Sequence, residues 1–584
     1  IIPPSPVSFT GVTVTAGSGP VIELSGGDAV FEDCTFDVTA TTNNSHFQTT
    51  AVAVSYNGIA TIKGGSYSST GYGIYVYSSG GMIIVEDGDI SGDVKAAEAD
   101  VDPNYGATST IKIQGGNVKG TLGTNNQPNA TIEVTGGKFD TDVSTYVPSG
   151  LTIQKNDDGS FSVIRLDAVY LDGVNGDDSQ SGADKDNAVK SLEKAMQLVS
   201  ENGTIYVSGT VNMSNMGDVS LSDVTIKRAE GFTKKMFLLA GNTTLTLSNV
   251  IFDGDSIELG DDSKDAPFIF AGQGTTLNIG EGTQLINNGA NAVQGNTCTI
   301  NMTGGIIKNN NASLAGGAMI VWNGTVNLTG GIIEDNFTEE WGGAICALDN
   351  SVVTMDGIDI RNNSAVYRGG AVYLEGNVSG VNTAKFIMKS GSITGNSAGE
   401  GFDGGGISAW SGAEIEISGG TIENNLQVDN IGTAIALHVY NGDTVLKLSG
   451  APSISGNIAL DDNEDENRTV IQVTDDFHPA NPIKVLGNYY PDGGTVVTYA
   501  AGLVPEAGQF VSMDESYGFI QDGQNLKWVA LIGVPFKNED NNVTYARVWV
   551  VPNTTIDSTQ VPNPTKTGYT LLGWRPWSKQ EMWD

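Results

Sequence analysis

The chain has 584 residues, too many for one ordinary hydrophobic core, so several modules or one extended repeat are expected. It carries 29 basic and 67 acidic residues, and a surface with a net charge of −38 excludes nucleic acid and anionic membrane surfaces as natural partners. The 77 glycines, together with frequent Thr, Ser, Asn, Val and Ile, suit many short strands joined by tight turns.

The three cysteines, Cys34, Cys298 and Cys346, lie far apart in the sequence. They give neither a disulfide framework nor a zinc spacing, so we expect buried thiols. No apolar run is long enough to cross a bilayer, so no membrane insertion is predicted. The chain opens inside a strand-like pattern, IIPPSPVSFTGVTVTAG, without a signal peptide, and we interpret it as part of a longer multidomain chain.

Residues 1–165 contain four segments in which a Gly-Gly pair separates two strand-like runs, among them ATIKGGSYSST and STIKIQGGNVKG. The pattern predicts an N-terminal β-solenoid segment that closes near GSFSVI. A second solenoid, residues 166–475, begins at VYLDGVNGDD. Early in it, apolar residues fall at helical spacing: Ala188, Val189, Leu192, Ala195, Met196 and Val199. We therefore expect a helix over about 187–201 that plugs the open end of the strand stack.

The loop before this helix collects oxygen ligands on a short segment: Asp172, Asn175, Asp177 and Asp178, followed by Asp184 and Asp186. Carboxylate and amide oxygens on a tight loop suit Ca²⁺, so calcium is the one cofactor that the sequence predicts, and the fold itself requires none. Solvated Asp and Asn turns are the alternative explanation. The run DDNEDEN at 461–467 has the same character in weaker form.

Three marks recur along residues 298–457. Gly-Gly pairs begin at Gly316, Gly342, Gly369 and Gly404. An asparagine recurs at Asn310, Asn336, Asn363, Asn396 and Asn425. A third turn ends at Gly305, Gly331, Gly357, Gly391 and Gly420. Three strand-like runs fall within each period, for example AICAL, SVVTM and DIRN.

This repeat predicts an all-β fold, a right-handed parallel β-helix. No single coil can bury its own apolar face, so the coils must stack at the strand spacing of about 4.8 Å and share one core. The recurring asparagines would stack as a ladder at one corner, and the glycines would allow turns that other residues resist. Beyond the repeat we expect a C-terminal β cap over 476–531 and a small β-grasp-like module over 532–584.

Two segments resemble known families. The Gly-Gly-Ala and Asn periodicity of 298–457 resembles the pectate-lyase-like β-helix superfamily and the repeats of polymorphic outer-membrane proteins. The segment VPNPTKTGYTLLGWRPWSKQEMWD is similar to the Listeria–Bacteroides repeat of bacterial surface proteins. The second resemblance implies an extracellular bacterial protein, often associated with the cell wall. The β-helix families include lyases, glycosidases and adhesins, so the fold does not choose among them.

The strand after each Gly-Gly pair gives the candidate site. With period 2, its inward positions are all apolar, from Met319 and Val321 to Ile435 and Leu437. Its outward positions form two rows across coils. One row is Ile320, Cys346, Tyr373, Ser408 and Ala436, and the other is Trp322, Leu348, Glu375, Trp410 and His438.

Aromatic faces stack on sugar rings, while Arg and carboxylate groups bond hydroxyls, so these rows predict carbohydrate binding. The candidate ligand-binding residues are Trp322, Trp341, Tyr367, Arg368, Tyr373, Trp410 and His438. An insertion after Glu375, GNVSGVNTA, would wall one side. The structural alternative is an aromatic ladder that only stabilises stacked coils.

A glycosidase would require two carboxyl groups about 5–9.5 Å apart. The candidates are Glu340, Glu375 and Asp403, and equivalent corners two coils apart place Glu340 and Asp403 about 10 Å from each other. The leading interpretation is thus an extracellular surface β-helix that binds glycans or host glycoproteins, with a glycoside hydrolase as the first alternative and a passive stalk as the second.

Overall fold

The computed structural model describes residues 6–18, 20–39, 49–77, 80–96, 108–124, 129–148, 151–256, 259, 265–376, 383–399, 404–428, 433–439, 442–461, 469–487, 493–537, 543–565, 571 and 574. The chain forms two compact units, one of residues 1–211 with 224–232 and the other of residues 212–223 with 233–584. The domain limits predicted at 165, 475 and 531 stay predictions.

The first unit begins with a strand stack that is parallel except at its end. Its strands are β1 (Val7–Thr10), β2 (Thr13–Ala16), β3 (Ile22–Ser25), β4 (Asp28–Val38), β5 (Thr50–Ser55), β6 (Gly58–Val76), β7 (Gly81–Ala96), β8 (Ser109–Ile113), β9 (Asn117–Lys119), β10 (Leu122–Gly123), β11 (Ala130–Val134), β12 (Lys138–Phe139), β13 (Thr152–Lys155) and β14 (Phe161–Ile164). Strand β14 pairs antiparallel with both β12 and β13, which ends the parallel stack at the predicted GSFSVI segment.

The predicted helix is present but shorter than expected. It follows β15 (Leu166–Asp172) and is limited to α1 (Leu192–Leu198), after which the chain enters β16 (Val199–Gly209). The Ser191 hydroxyl accepts the Lys194 N–H and caps its start. Val189 lies outside the helix because it forms a parallel bridge with Leu171. Helical spacing therefore overestimated the length, because some of the apolar residues serve strand pairing.

The remaining strands, in chain order, are β17 (Val211–Ser214), β18 (Gly217–Arg228), β19 (Phe237–Ala240), β20 (Thr243–Asp253), β21 (Ile269–Ala271), β22 (Thr276–Ile279), β23 (Gln284–Ile286), β24 (Val293–Asn296), β25 (Thr299–Lys308), β26 (Asn311–Ala312), β27 (Met319–Trp322), β28 (Thr325–Glu334), β29 (Phe337–Thr338), β30 (Ile345–Leu348), β31 (Val352–Arg361), β32 (Ser364–Ala365), β33 (Val372–Glu375), β34 (Lys385–Thr394), β35 (Ser397–Ala398), β36 (Ile407–Trp410), β37 (Glu414–Ile417), β38 (Thr421–Glu423), β39 (Leu426–Gln427), β40 (Ile435–His438), β41 (Thr444–Gly450), β42 (Ser453–Ile454), β43 (Asn457–Asp461), β44 (Thr469–Phe477), β45 (Ile483–Gly487), β46 (Thr495–Tyr499), β47 (Phe510–Ser512), β48 (Tyr517–Asp522), β49 (Asn525–Ala530), β50 (Ile532–Lys537) and β51 (Thr544–Val550).

The second unit is a parallel β-helix with three sheets. Sheet I contains β20, β22, β23, β25, β28, β31, β34, β37, β38, β41, β42, β44, β46, β48 and β49. Sheet II contains β19, β21, β24, β27, β30, β33, β36, β40, β43, β45 and β47. Sheet III is narrow and contains β26, β29, β32, β35 and β39. In the described coils that include a sheet III strand, the chain passes through sheet II, then sheet I, then sheet III, as β30, β31 and β32 illustrate. The predicted fold class is confirmed.

Within one coil, the runs SVVTM and DIRN belong to a single bent strand, β31, and not to two strands as predicted. The bend lies at the MDG turn, where Gly357 has φ 108° and the pairing with β34 shifts register. The short strand β32 on sheet III was not predicted. A two-residue strand carries too little alternation to stand out in a sequence.

The predicted asparagine ladder is confirmed. Its members are Asn288, Asn310, Asn336, Asn363, Asn396 and Asn425, all buried. From Asn288 to Asn396, the backbone N–H of each member donates to Oδ1 of the next over 2.9–3.1 Å. From Asn310 to Asn396 the side-chain Nδ2 donates to the same Oδ1. The residue before most members is left-handed, as at Asn362 with φ 56°, which turns the ladder residue into the core.

At the corner before each sheet II strand, the two paired glycines are required for different reasons. The first glycine has a positive φ at Gly316, Gly342 and Gly369, with φ 70° at Gly342, whereas Gly404 does not. The second lies too close to the next coil for a side chain, since a Cβ on Gly343 would be 2.2 Å from the Gly370 carbonyl oxygen. Adjacent coils thus approach each other through backbone atoms at this corner.

The core follows the predicted alternation on sheet II. Met319, Val321, Ile345, Ala347, Val372, Leu374, Ile407, Ala409, Ile435 and Leu437 are all fully buried. The three cysteines are buried free thiols, as expected.

The parallel stack continues past the predicted cap boundary, because β43 pairs with β45 and β45 with β47 in parallel. The antiparallel hairpin of β48 and β49 then pairs with β46.

Of the predicted C-terminal module, the structure describes the antiparallel hairpin of β50 and β51 and a few later residues. Trp574 packs edge-on against Phe536 and Tyr545, and its indole N–H donates to the Pro562 carbonyl over 2.8 Å. The motif residues 566–570 lie outside the described residues.

Candidate functional site

The second outward row of sheet II is in register across four coils. Trp322 pairs with Leu348, Leu348 with Glu375, and Glu375 with Trp410. All four side chains are half-buried. Because parallel strands stack in register, these residues form a strip that runs from coil to coil on the outer face of the sheet. We call these four residues, together with Trp341 and Arg368, the indole strip.

The first outward row does not face solvent. Ile320, Cys346 and Tyr373 are buried with Ala315 in a small apolar cluster outside the sheet, and Ser408 and Ala436 in the same row are fully buried. Leu314, Trp341 and the strip residues Trp322, Leu348 and Trp410 pack against this cluster. The chain segments that precede Gly316 and Gly342 therefore cover Ile320, Cys346 and Tyr373. Tyr373, a predicted ligand-binding residue, is only 2% exposed, so its predicted place on an open face was wrong.

Tyr373 links the covered row to the strip. Its ring stacks on Trp341 with centroids 5.4 Å apart. Its hydroxyl donates to Oε2 of Glu375 over 2.9 Å. Burial raises the pKa of Tyr373 well above its ordinary value, and the Glu375 carboxylate raises it further, so the phenol stays a proton donor. Glu375 is thus held by a buried partner.

A column of stacked side chains crosses the far end of the strip. The Arg368 guanidinium carbon lies 4.0 Å from the centroid of the Trp410 ring. The His438 ring lies 4.8 Å from the same indole, at a tilt of 33°. Behind it, Nδ1 of His438 is 2.9 Å from Oδ2 of Asp461. His438 is 2% exposed, so its placement on the surface was wrong. Like Tyr373, it supports the strip from within.

The segments before the Gly-Gly pairs are also in register. Trp341 and Arg368 form a parallel bridge, and the Tyr367 N–H donates to the Glu340 carbonyl over 3.1 Å. Tyr367 is 53% exposed, whereas Glu340 is half-buried. Asp403 and most of the insertion after Glu375 lie outside the described residues. The structure therefore places Glu375 in the strip and Glu340 on the segment next to Trp341, and the predicted carboxylate pairs stay predictions.

The predicted calcium loop uses its carboxylates on the backbone. Asp172 accepts the N–H groups of Val174 and Asn175, and Asp177 accepts that of Ser179. Asp178 accepts the N–H groups of Lys190 and Ser191, just before α1.

Asp184, in the same loop, caps the turn of Asp186 and Asn187. Among the residues that the structure describes, no group of three or more His, Cys, Asp or Glu side chains converges to hold a metal. Calcium binding by this loop stays a prediction.

The partner of His438 was not predicted, although the pairing can be read from the sequence. Ile-Ala-Leu occurs at 435–437 and again at 458–460, and the residues that follow are His438 and Asp461. The two tripeptides pair in register in the structure, so the Asp461 carboxylate lies next to the His438 imidazole on the adjacent strand. A repeated tripeptide one coil apart predicts such a contact even where the Gly-Gly mark is absent.

Compared with protein-family models and with curated proteins, the chain matches none of them. Within the described part of the chain, no helix combines the length and the apolar composition that a membrane crossing requires.

Proposed function

We propose that the chain is an extracellular bacterial surface protein that binds carbohydrate through the indole strip. The observation that carries this proposal is the grouping of three half-buried tryptophans with Glu375 and Arg368: Trp322, Trp410 and Glu375 lie on the outer face of sheet II, and Trp341 and Arg368 lie in the segments beside it. A core does not require indoles at these positions. A rigid sheet that presents aromatic rings beside a few fixed polar groups is typical of ligand sites.

The polar groups match the chemistry of a sugar. The Glu375 carboxylate accepts hydrogen bonds, and the Arg368 guanidinium donates them in a fixed plane. Both are held in place, Glu375 by Tyr373 and Arg368 by the Trp410 ring. Groups that are ordered before binding lose less conformational entropy when a ligand arrives.

The placement outside the cell rests on the resemblances. The repeat resembles those of the pectate-lyase-like β-helix superfamily and of polymorphic outer-membrane proteins, and PTKTGYTLLGW resembles the Listeria–Bacteroides repeat of bacterial surface proteins. The net charge of −38 favours neutral ligands such as glycans over nucleic acids.

The test is a glycan array probed with the wild-type chain, with Trp322→Ala and with Trp549→Ala. Trp549 is the matched control, because it is also half-buried but lies on β51, outside the indole strip. We expect Trp322→Ala to lose affinity by about tenfold or more, as central aromatic contacts do, and Trp549→Ala to bind as the wild type does.

Each bound glycan is then examined by mass spectrometry. Intact ligands whose binding depends on Trp322 support the proposal. Shortened ligands would favour a glycoside hydrolase, and Glu340→Gln and Glu375→Gln would then be tested for loss of cleavage. If the wild-type chain binds no glycan, the proposal fails and the passive stalk becomes the better account.

A further inference from the structure

A polar groove of about 490 Å³ lies on the surface of the first unit and contains no residue of the indole strip. Its floor is formed by the parallel strands β7, β9 and β12, which place Asp89, Asn117 and Lys138 side by side in register. Its wall is the turn between β13 and β14, where the Asp158 carboxylate accepts a hydrogen bond from the Lys138 ammonium over 2.6 Å. A groove of this volume is large enough for a small ligand.

The groove is polar on its inner surface. Among the described residues that line it, the exposed side chains are all charged or carry amide or hydroxyl groups. The apolar residues of the floor, Val118 and Phe139, are only 1% exposed. A ligand would therefore be recognised through hydrogen bonds and charge, without an aromatic ring on which to stack.

The wall of the groove is fixed by an ion pair. Hydrogen bonds from Lys138 and then from Ser160 hold the pKa of Asp158 well below its ordinary value, so this carboxylate stays ionised. The Ser160 backbone N–H donates to it over 3.0 Å. The charge of Lys138 is thus already balanced within the protein.

The two carboxylates of the floor are also held in place. Asp89 accepts the side-chain N–H of Asn117 over 2.8 Å, and Asp140 accepts the backbone N–H of Gly120 over 3.0 Å. An ionised carboxylate has about four lone-pair sites. Asp89 and Asp140 can therefore each accept further hydrogen bonds from a ligand.

Lys119 differs from the other charged residues of the groove. The Asp140 N–H donates to the Val118 carbonyl over 3.2 Å, which places Asp140 beside Lys119 on the floor. Within the described part of the chain, the Lys119 ammonium nevertheless forms neither a hydrogen bond nor an ion pair. In a chain with 67 acidic residues, a lysine in this state is available to an anion from outside.

We propose that this groove binds an acidic sugar, whose carboxylate pairs with Lys119 and whose hydroxyl groups donate to Asp89 and Asp140. This site is separate from the indole strip and does not depend on the function proposed for it. A bare carboxylate ion would bind poorly, because the net charge of −38 and the carboxylates of the groove repel it. Ring hydroxyls that donate to those carboxylates offset this repulsion, so the groove selects a ligand that carries both kinds of group.

The test compares three ligands in NMR titrations of the full chain at neutral pH, observed on the ligand signals. Glucuronate carries a carboxylate and ring hydroxyls, glucose lacks the carboxylate, and acetate lacks the hydroxyls. We expect glucuronate to bind about tenfold more tightly than either of the others, which is the size of one hydrogen bond between charged groups.

Variants assign the binding to the groove. Lys119→Gln should lower the affinity for glucuronate by about tenfold, to the level of glucose. Lys112→Gln is the matched control, because it changes the net charge equally. Lys112 also has no ion pair among the described residues, but it lies on β8 and does not line the groove. This control and Trp322→Ala, which alters the indole strip, should bind glucuronate as the wild type does.

The outcomes decide the proposal in either direction. Glucuronate that binds no better than acetate would indicate a site for simple anions, and glucuronate that binds no better than glucose would leave Lys119 without a role. Either result overturns the proposal, as does the absence of binding or equal affinity of Lys119→Gln and the wild type. A loss of glucuronate affinity in Trp322→Ala would move the site to the indole strip and overturn it as well.

Discussion

The Asn363 carboxamide shows how much of the coil spacing depends on single side chains. Its Oδ1 accepts both the backbone N–H and the Nδ2 of Asn336, over 3.0 and 2.9 Å. Its own Nδ2 donates to the Ile333 carbonyl and to Asn396. All of these groups are fully buried or nearly so, so none has water as a substitute partner.

We therefore expect Asn363→Ala to lower the free energy of unfolding by about 2–4 kcal/mol, since the buried backbone N–H of Asn336 loses its acceptor and the buried bonds that the Asn363 carboxamide makes are lost with it. Urea denaturation followed by circular dichroism measures the change. Asn327→Ala is the matched control, because Asn327 donates to Asn301 in a similar amide row on the half-buried outer face of sheet I. Water can replace that bond, so the control should lose about 1 kcal/mol or less. Equal losses at the two positions would contradict the role assigned to burial.

At the same scale, the limits of prediction are visible residue by residue. The ladder from Asn310 to Asn425 was predicted because asparagine recurs with the coil period. Asn288 was missed, since its coil lacks the Gly-Gly mark that fixed the alignment. Tyr373 and His438 were assigned to the outer face correctly but to an open surface wrongly. Period 2 gives the side of the sheet on which a residue lies, and it carries no information on whether a further chain segment covers that side.

At the scale of elements, the corner before sheet II depends on glycine for steric reasons that a substitution can isolate. Gly343 has no positive φ, so an alanine there would not strain the backbone. Its Cβ would nevertheless lie 2.2 Å from the Gly370 carbonyl oxygen and 2.6 Å from the Ser364 nitrogen. Both are backbone atoms of the next coil, which cannot move without separating the two coils.

We expect Gly343→Ala to lower the free energy of unfolding by about 3 kcal/mol or more, at the upper end of overpacking costs. Gly17→Ala is the control, because no atom lies within 4 Å of its added Cβ and its φ is not positive. That variant should be as stable as the wild type or slightly more stable. Denaturation of the two variants side by side gives the comparison, and a tolerated Gly343→Ala would show that the coils can separate at this corner without loss.

At the scale of elements, sequence periodicity predicts the strands of sheet II but does not predict which of their outward residues are covered. The strands of sheet II and their inward residues follow from alternation and period alone. The cover over the first outward row comes from the segments around Leu314, Trp341 and Arg368, whose course is set by tertiary packing. The Arg368–Trp410 contact joins residues 42 positions apart in sequence, counted from their numbers, and no local pattern announces it.

For the whole molecule, the charge balance predicts an unusual response to salt. Even if every one of the 29 basic residues were paired with a carboxylate, 38 of the 67 acidic residues would remain without a cationic partner. The net repulsion destabilises the folded chain, and it acts over about 30 Å at 0.01 M salt but only about 8 Å at 0.15 M. Exposed ion pairs such as Lys138–Asp158 also weaken with salt, but pairs in contact with water contribute little to stability.

We therefore expect the Tm to rise between about 0.01 M and about 0.15 M NaCl, the range over which this repulsion is screened. Calorimetry at the two concentrations measures it, and a falling Tm would show that local ion pairs outweigh the net repulsion.

Calcium and magnesium chloride at matched ionic strength extend the test to the loop of Asp172, Asp177 and Asp178. These carboxylates already accept backbone N–H groups, so we expect no specific binding of either cation. The two chloride salts should then shift the Tm equally, by screening alone. A larger shift with calcium that Asp178→Asn abolishes would instead establish the predicted calcium site.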